Sequence, residues 1–375
     1  MYHEHHPEKG LANVKDLEIL FFSAYPATSE KDKIVFASLF EKLQAIEVNE
    51  DIIIEYLYDH QRRTQAAEIA LLAIEVADGK RPFPDLSQKL VESPEMVDGN
   101  QLGLEEFVTD DLESIFNKHY SGEGLSWRLN TLNKMLGPLR IGDFGFLFAR
   151  PEVGKTTIIA SETTYMANQT REPIIIFNNE QPGEVVKARI YQAHFGITSH
   201  DLFQQRQLYQ SRYQEELGGR IKVYDSGSIH RRDVERICNQ YNPSLILFDQ
   251  LPKIKGFEND RYDLALGAIY QWARELAKKY CPVIGVCQAG GTGEGKKWLT
   301  MDDVDSSKTA MQAEADWILG IGKSNQEGME AVRHLHLCKN KLIGGEHTLP
   351  ELRHGKCEVL IKAEIARFED IPERK

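Results

Sequence analysis

Gly154, Lys155 and Thr156 follow Ala149, Arg150, Pro151, Glu152 and Val153, and Thr157 comes next. These residue types in this order suit one task, the holding of phosphate. Loops of this kind read glycine, four variable residues, then Gly-Lys-Ser/Thr, and Ala149 stands here at the first glycine position. Gly154 lets the backbone turn so that its N–H groups face an anion. Lys155 sets a cation on the outer phosphates, and the Thr156 hydroxyl is a ligand for Mg²⁺. A helix opening here adds its N-terminal dipole. Residues 149–157 are therefore the candidate ATP cradle. Asp249 ends the run Leu-Ile-Leu-Phe-Asp, and an aspartate there can hold Mg²⁺ through water together with Thr156. Glu180 follows another apolar run, at 174–177. A carboxylate at the end of a parallel strand beside a phosphate loop can polarise water for attack on the outermost phosphate. Gln288 ends a third run. An amide is no base, but it can sense a phosphate. The competing readings are ordinary ones: a lysine and two acids capping helices, and a polar residue closing a strand.

The elements that must position these groups are visible as short apolar runs at 144–148, 174–177, 221–224, 245–248, 283–286, 317–321, 334–337 and 358–361. Runs of about five residues separated by helical stretches predict an α/β domain with a mainly parallel sheet. The last runs lie closer together, which predicts an antiparallel far edge. The first third differs. Apolar residues recur at helical spacing in 31–43 and 66–76, and again in 109–120. Thr28, Ser29 and Glu30 are capping types, and Gly79, Pro82 and Pro84 break the pattern, with a further helical run expected from Glu92 or later. The expected organisation is a small all-α N-terminal domain over 1–105, a linker helix and hinge over 106–125, and the α/β domain over 126–375.

Composition narrows the class. The chain has 375 residues, 41% of them hydrophobic, and a formal net charge of -12. That charge is unevenly placed: residues 1–120 hold 24 acidic and 11 basic residues, and the remainder holds 33 acidic and 34 basic. The acidity thus belongs to the helical region, and basic loops in the rest can still meet phosphates. No apolar stretch approaches the roughly 18 residues of a membrane span, and the first ten residues do not read as a secretion signal. Five cysteines without a CxxC pair argue against a disulfide framework or a structural zinc site. They point to a reduced, cytoplasmic protein. His3, His5 and His6 make a poor metal site without ordered acids nearby.

The loop from Ala149 to Thr157, with alanine at the first glycine position, resembles that of DnaB-type replicative helicases, and Leu132 to Asp143 is similar to that family's lead-in to the first strand. The resemblance implies a RecA-like P-loop ATPase core. It makes Glu180 the general base, matches Arg189 to a family arginine, and makes Gln288 the switch between ATP state and DNA loops. The segment 308–316 is similar to the family's lead into its next strand, with Asp316 read as structural. The segment 337–345 resembles the family's basic hairpin, which delivers a cation to the neighbour's ATP. Lys339 fits the family lysine there. Lys341 stands where the family carries an arginine, and lysine lacks the planar fork of guanidinium, so Arg333 and Arg353 remain alternatives for the finger.

The family grips single strands with the loops after the Asp249 strand and the Gln288 strand. Here these are 252–263, with Lys253, Lys255 and Arg261, and 289–308, with Lys296, Lys297 and Lys308. Glycine-rich loops carrying cations suit a sequence-independent phosphate grip. Trp298 is either a base-stacking or a packing residue. The resemblance implies a hexameric ring moving 5′ to 3′ on single-stranded DNA and opening a replication fork. It implies a primase or loader as partner, and the short chain suggests a phage-encoded member. Two rivals stay open: a recombination or repair ATPase that binds single strands without unwinding, and a loader-like ATPase that remodels protein partners.

Overall fold

The computed structural model describes residues 18–19, 21–23, 25, 29–44, 50–92, 111–119, 124–257, 261–305 and 308–372. The chain forms two compact units, Met1–Val108 and Thr109–Lys375. In the first, the described helices are α1 (Glu30–Gln44), α2 (Glu50–Ala77) and α3 (Phe83–Glu92). Ser29 caps α1, its Oγ accepting from the Asp32 N–H at 3.2 Å. The pattern does break between α2 and α3, at Gly79 and Pro82, but Pro84 lies in the first turn of α3. A missing N–H costs nothing there, so a helix stands where the sequence reading placed an interruption. Residues 93–110, where the next helical run was expected, lie outside the described residues, as do the N-terminal histidines and 120–123 of the hinge.

The second unit contains α4 (Leu112–His119), α5 (Asn130–Met135) and then a nine-stranded sheet. The strands are β1 (Phe144–Ala149), β2 (Ile174–Asn178), β3 (Ile221–Asp225), β4 (Leu245–Asp249), β5 (Val283–Gln288), β6 (Trp317–Gly322), β7 (Val332–Asn340), β8 (Lys356–Lys362) and β9 (Arg367–Asp370). Their order is β3-β2-β4-β5-β1-β6-β7-β8-β9. From β3 to β6 neighbours run parallel. β7, β8 and β9 are added antiparallel, forming the edge that the crowded later runs predicted.

Helices cover both faces of the parallel part, which is why all its strands except the edge strand β3 read as nearly continuous apolar runs. Alternate side chains feed two cores. Leu147, Ile174 and Ile176 join one with α6 (Lys155–Met166) and α7 (Gly183–Phe195). Phe146, Ile175 and Phe177 join the other with α10 (Arg231–Tyr241) and α11 (Tyr262–Lys279). Between α7 and α10 lie α8 (Ser199–Gln204) and α9 (Arg206–Leu217), and α12 (Lys308–Glu314) precedes β6. Asp316 joins sheet to helix: Arg274 of α11 pairs with both its carboxylate oxygens, and the Phe144 N–H donates to it at 3.0 Å. Its role is structural.

Candidate active site

The register of the sheet gathers the chemistry at the carboxyl ends of the strands, where open α/β sheets bind ligands. Asn178 lies opposite Asp249 and Asp225, and Ala149 lies opposite Gln288. From Ala149 the chain turns into α6. Glu152 (φ 61) and Gly154 (φ 119) both take the left-handed region. At Gly154 that φ strains any side chain, whatever the space around it. The turn has a prop of its own. Arg333 of β7 is buried, and its Nε donates to the Val153 carbonyl at 2.6 Å while Nη1 donates to the Glu330 and Val332 carbonyls. Arg333 therefore supports its own phosphate loop.

A cleft of about 420 Å³ opens over this turn. Lys155, Thr156, Glu180, Gln181 and Arg189 face Arg333, Ile361 and Ala363 across it. Lys155 starts α6, and its Nζ lies 3.5 Å from the Ala149 carbonyl and 3.4 Å from that of Arg150. Burial lowers its pKa, and the carboxylates of Glu180 and Asp249 oppose that shift. Asp249 is 2% exposed. Burial first, and then the nearby Glu180 charge, push its carboxyl up to about 6. Its Oδ1 has no hydrogen-bond partner among the described residues. A buried carboxylate oxygen without a donor, near the Lys155 and Glu180 charges, fits Mg²⁺, which takes few protein ligands and draws the rest from phosphate and water.

Glu180 sits on the turn between β2 and α7, and that turn is fixed by Asp225. The Asp225 carboxylate accepts from Asn178 Nδ2 at 2.6 Å and from the Gly183 N–H at 2.8 Å. Gln250 Nε2 donates to Glu180 Oε2 at 2.6 Å, and Gln181 Nε2 donates to the Thr156 hydroxyl at 3.3 Å. One carboxylate is thus held beside the phosphate loop through one of its oxygens, and a second lies buried with an oxygen that has no donor among the described residues. Gln250 and Gln181 were not expected as site residues, and Arg333, expected only as an alternative finger, instead props its own phosphate loop. Gln250 follows the strand-ending aspartate directly, a position that does carry a signal; Arg333 has none, because its contact spans 180 positions.

The remaining expected residues separate. Gln288 is half-buried at the end of β5, level with Ala149. Lys341 is exposed just past β7, with its N–H on the Asp316 carbonyl at 2.8 Å. Its loop is pinned from two sides, by Arg353 Nη2 on the Leu342 carbonyl at 2.6 Å and by Arg140 Nη1 on the Gly344 carbonyl at 2.9 Å. Arg353 and Arg333 are thus both engaged within the chain. Lys339 points inward to the carbonyls of Gln312 and Ala313 at the end of α12. Burial first, then neighbouring Lys341, pushes it down to about 8.

Of the loop cations, Lys253 and Lys255 are exposed. Arg261 pairs with Asp263 at 2.6 Å, and Lys296 with the buried Asp303 at 2.7 Å. Lys297 Nζ lies 3.5 Å from Gln326 Oε1. The Lys308 side chain lies outside the described residues. Trp298 takes its packing role, edge-on to His334 at 4.9 Å with Lys356 over its ring.

A phosphate loop, two strand-end carboxylates and a sheet of this order define a RecA-like P-loop ATPase fold. Within that class the chain belongs to the DnaB-like helicase C terminal domain family, whose sequence model matches residues 124–370. It is 24% identical over 234 residues to the replicative DNA helicase DnaB of Buchnera aphidicola subsp. Baizongia pistaciae, a match covering 56% of this chain and 49% of that protein. The chain thus spans about half the length of that relative. Two solved structures share the fold. One is a DnaB-like replicative helicase studied with its interactions with primase, at 15% identity and TM-score 0.65, covering 94% of this chain and 87% of that one. The other is an isolated ATPase domain at 16% identity and TM-score 0.59, covering 69% and 95%.

Proposed function

We propose that this chain is the motor subunit of a replicative DNA helicase that hydrolyses ATP with Mg²⁺ and uses the cycle to move along single-stranded DNA and open a fork. The observation that carries this reading is the meeting of Lys155, Thr156 and Glu180 in one cleft, with the buried Asp249 close enough to feel the charges of Lys155 and Glu180, in a chain of this family. Lys155 and the backbone of 149–157 hold the phosphates, Thr156 and Asp249 hold the metal ion, and Glu180 takes the proton from the attacking water. Mg²⁺ supplies charge neutralisation on the phosphates when bound.

Ring assembly, with six subunits as the expected number, brings the Lys341 loop of one subunit to the ATP of the next. Its exposure on a doubly pinned loop supports that role, and Lys339 fixes the base of the loop. Lys253, Lys255, Arg261, Lys296, Lys297 and Lys308 form the strand-facing set, in which Arg261 and Lys296 exchange a carboxylate partner for phosphate. Gln288 links the nucleotide side to the second loop. The helical region over 1–105, joined by 106–125, organises the ring and receives a primase or loader. ATP hydrolysis measured with and without single-stranded DNA tests the reading. Stimulation supports a DNA-driven motor, and rates indifferent to DNA would favour an ATPase that remodels protein partners.

A further inference from the structure

The side chains of the phosphate loop do not all serve the cleft. Lys155 and Thr156 face it, whereas Arg150 turns the other way, into a separate cavity of about 230 Å³ between the phosphate loop and the glycine-rich loop after β5. There Arg150 makes two ties. Nη1 donates to the Ala289 carbonyl, at the root of that loop, at 3.0 Å, and Nη2 stands 3.8 Å from the Glu294 carboxylate near its tip. The backbone adds a third tie at the root, Ala289 N–H to the Ala149 carbonyl at 3.0 Å. The far part of the loop is fastened elsewhere. His336 Nδ1 meets the Leu299 carbonyl at 2.6 Å, Trp298 packs on His334, and Lys296 is paired with Asp303. Glu294 lies between these anchors and is 78% exposed, flanked by Gly293 and Gly295.

We propose that Arg150 is the positioning residue that couples the nucleotide site to the glycine-rich loop. This rests on the reading of 289–308 as a DNA-contacting loop. The chemistry favours arginine, whose planar fork can hold a carbonyl and a carboxylate at once, where lysine offers a single point charge. Arg150 is also joined to the catalytic lysine, since Lys155 Nζ reaches the Arg150 carbonyl at 3.4 Å. A phosphate that draws on the same ammonium competes for that contact and shifts the residue whose side chain holds Ala289 and Glu294. The loop's grip on a strand then follows the nucleotide site directly, alongside the route through Gln288.

The test is a coupling factor: the affinity for an oligothymidylate with a saturating non-hydrolysable ATP analogue divided by the affinity without it. Coupled sites typically change each other's affinity by roughly 5- to 150-fold. Because the factor is a ratio taken at saturation, weaker nucleotide binding alone leaves it unchanged. Arg150→Lys, which keeps the charge and loses the fork, is expected to lower the factor at least about fivefold. Glu294→Gln is expected to lower it by at most about fivefold, the ceiling for an exposed ion pair. The double variant is expected to match Arg150→Lys alone. Arg150→Lys with a factor within about twofold of the parent would overturn the coupling role while leaving the helicase reading intact. A parent protein whose oligothymidylate affinity ignores the analogue would overturn both.

Discussion

Gln250 offers the sharpest probe of how the site holds its base. Its Nε2 donates to Glu180 Oε2 at 2.6 Å from a position that is itself 3% exposed. The residue has φ 71, a region where most side chains are strained and Asn is tolerated. Gln250→Asn therefore leaves the backbone at ease and withdraws the amide by one carbon, about 1.5 Å. The contact then opens to roughly 4 Å, beyond hydrogen-bond range. A hydrogen bond to a charged group is worth about 1.5–3 kcal/mol, and each 1.36 kcal/mol is tenfold in rate. If the bond serves to hold the carboxylate in its reactive orientation, kcat for ATP hydrolysis falls roughly ten- to hundredfold. KM stays within about twofold, because Gln250 is not part of the cleft wall. Single-turnover hydrolysis separates chemistry from product release. A kcat within about threefold of the parent, or a raised KM with kcat intact, would refute the positioning role.

Lys155→Ala is expected to abolish hydrolysis while the thermal unfolding midpoint changes little, since the ammonium is buried at a cost in the parent; retained turnover would remove the phosphate-loop assignment. If the Lys341 loop acts on a neighbour's ATP, as proposed, replacing Lys341 by Ala silences the homogeneous protein, and mixing that variant with Glu180→Ala subunits restores part of the activity at mixed interfaces; absence of any restoration contradicts a trans-acting role. Glu162, wholly buried in α6, accepts from the Arg128 N–H at 2.6 Å, and burial pushes its carboxyl from 4.5 to about 7. A raised folded-state value means stability present below pH 4.5 and lost as pH rises through 7, on the order of 3 kcal/mol. The midpoint should therefore fall between about pH 5 and 8 in the parent, and Glu162→Gln should flatten that slope; an unchanged slope contradicts it.

What the sequence made legible follows from range. Buried parallel strands are apolar along nearly their whole length, so β1, β2, β4, β5 and β6 stood out as runs, and the edge strand β3, Ile-Lys-Val-Tyr-Asp, did so by its alternate apolar residues. The site residues that close those strands, Asp249 and Gln288, stood out with them, as did Glu180 just beyond β2. β9 did not: it pairs only with β8 and reads Arg-Phe-Glu-Asp, and an edge strand can be charged. The α3 helix was hidden because Pro82 and Pro84 read as breakers until their place at the helix start is known. Arg333 under the phosphate loop and Asp303 on Lys296 depend on which strands become neighbours or how loops fold back. Residue type and spacing carry no record of that.

The proposed activity is the opening of duplex DNA at the expense of ATP. Strand displacement from a forked duplex, followed with ATP and Mg²⁺ for the parent and for Glu180→Gln, tests it most directly. Release of the displaced strand by the parent and none by the variant is the expected result. DNA-stimulated ATP hydrolysis by the parent with no displacement on forks of either polarity would contradict it, and would leave the chain a motor that binds single strands without unwinding.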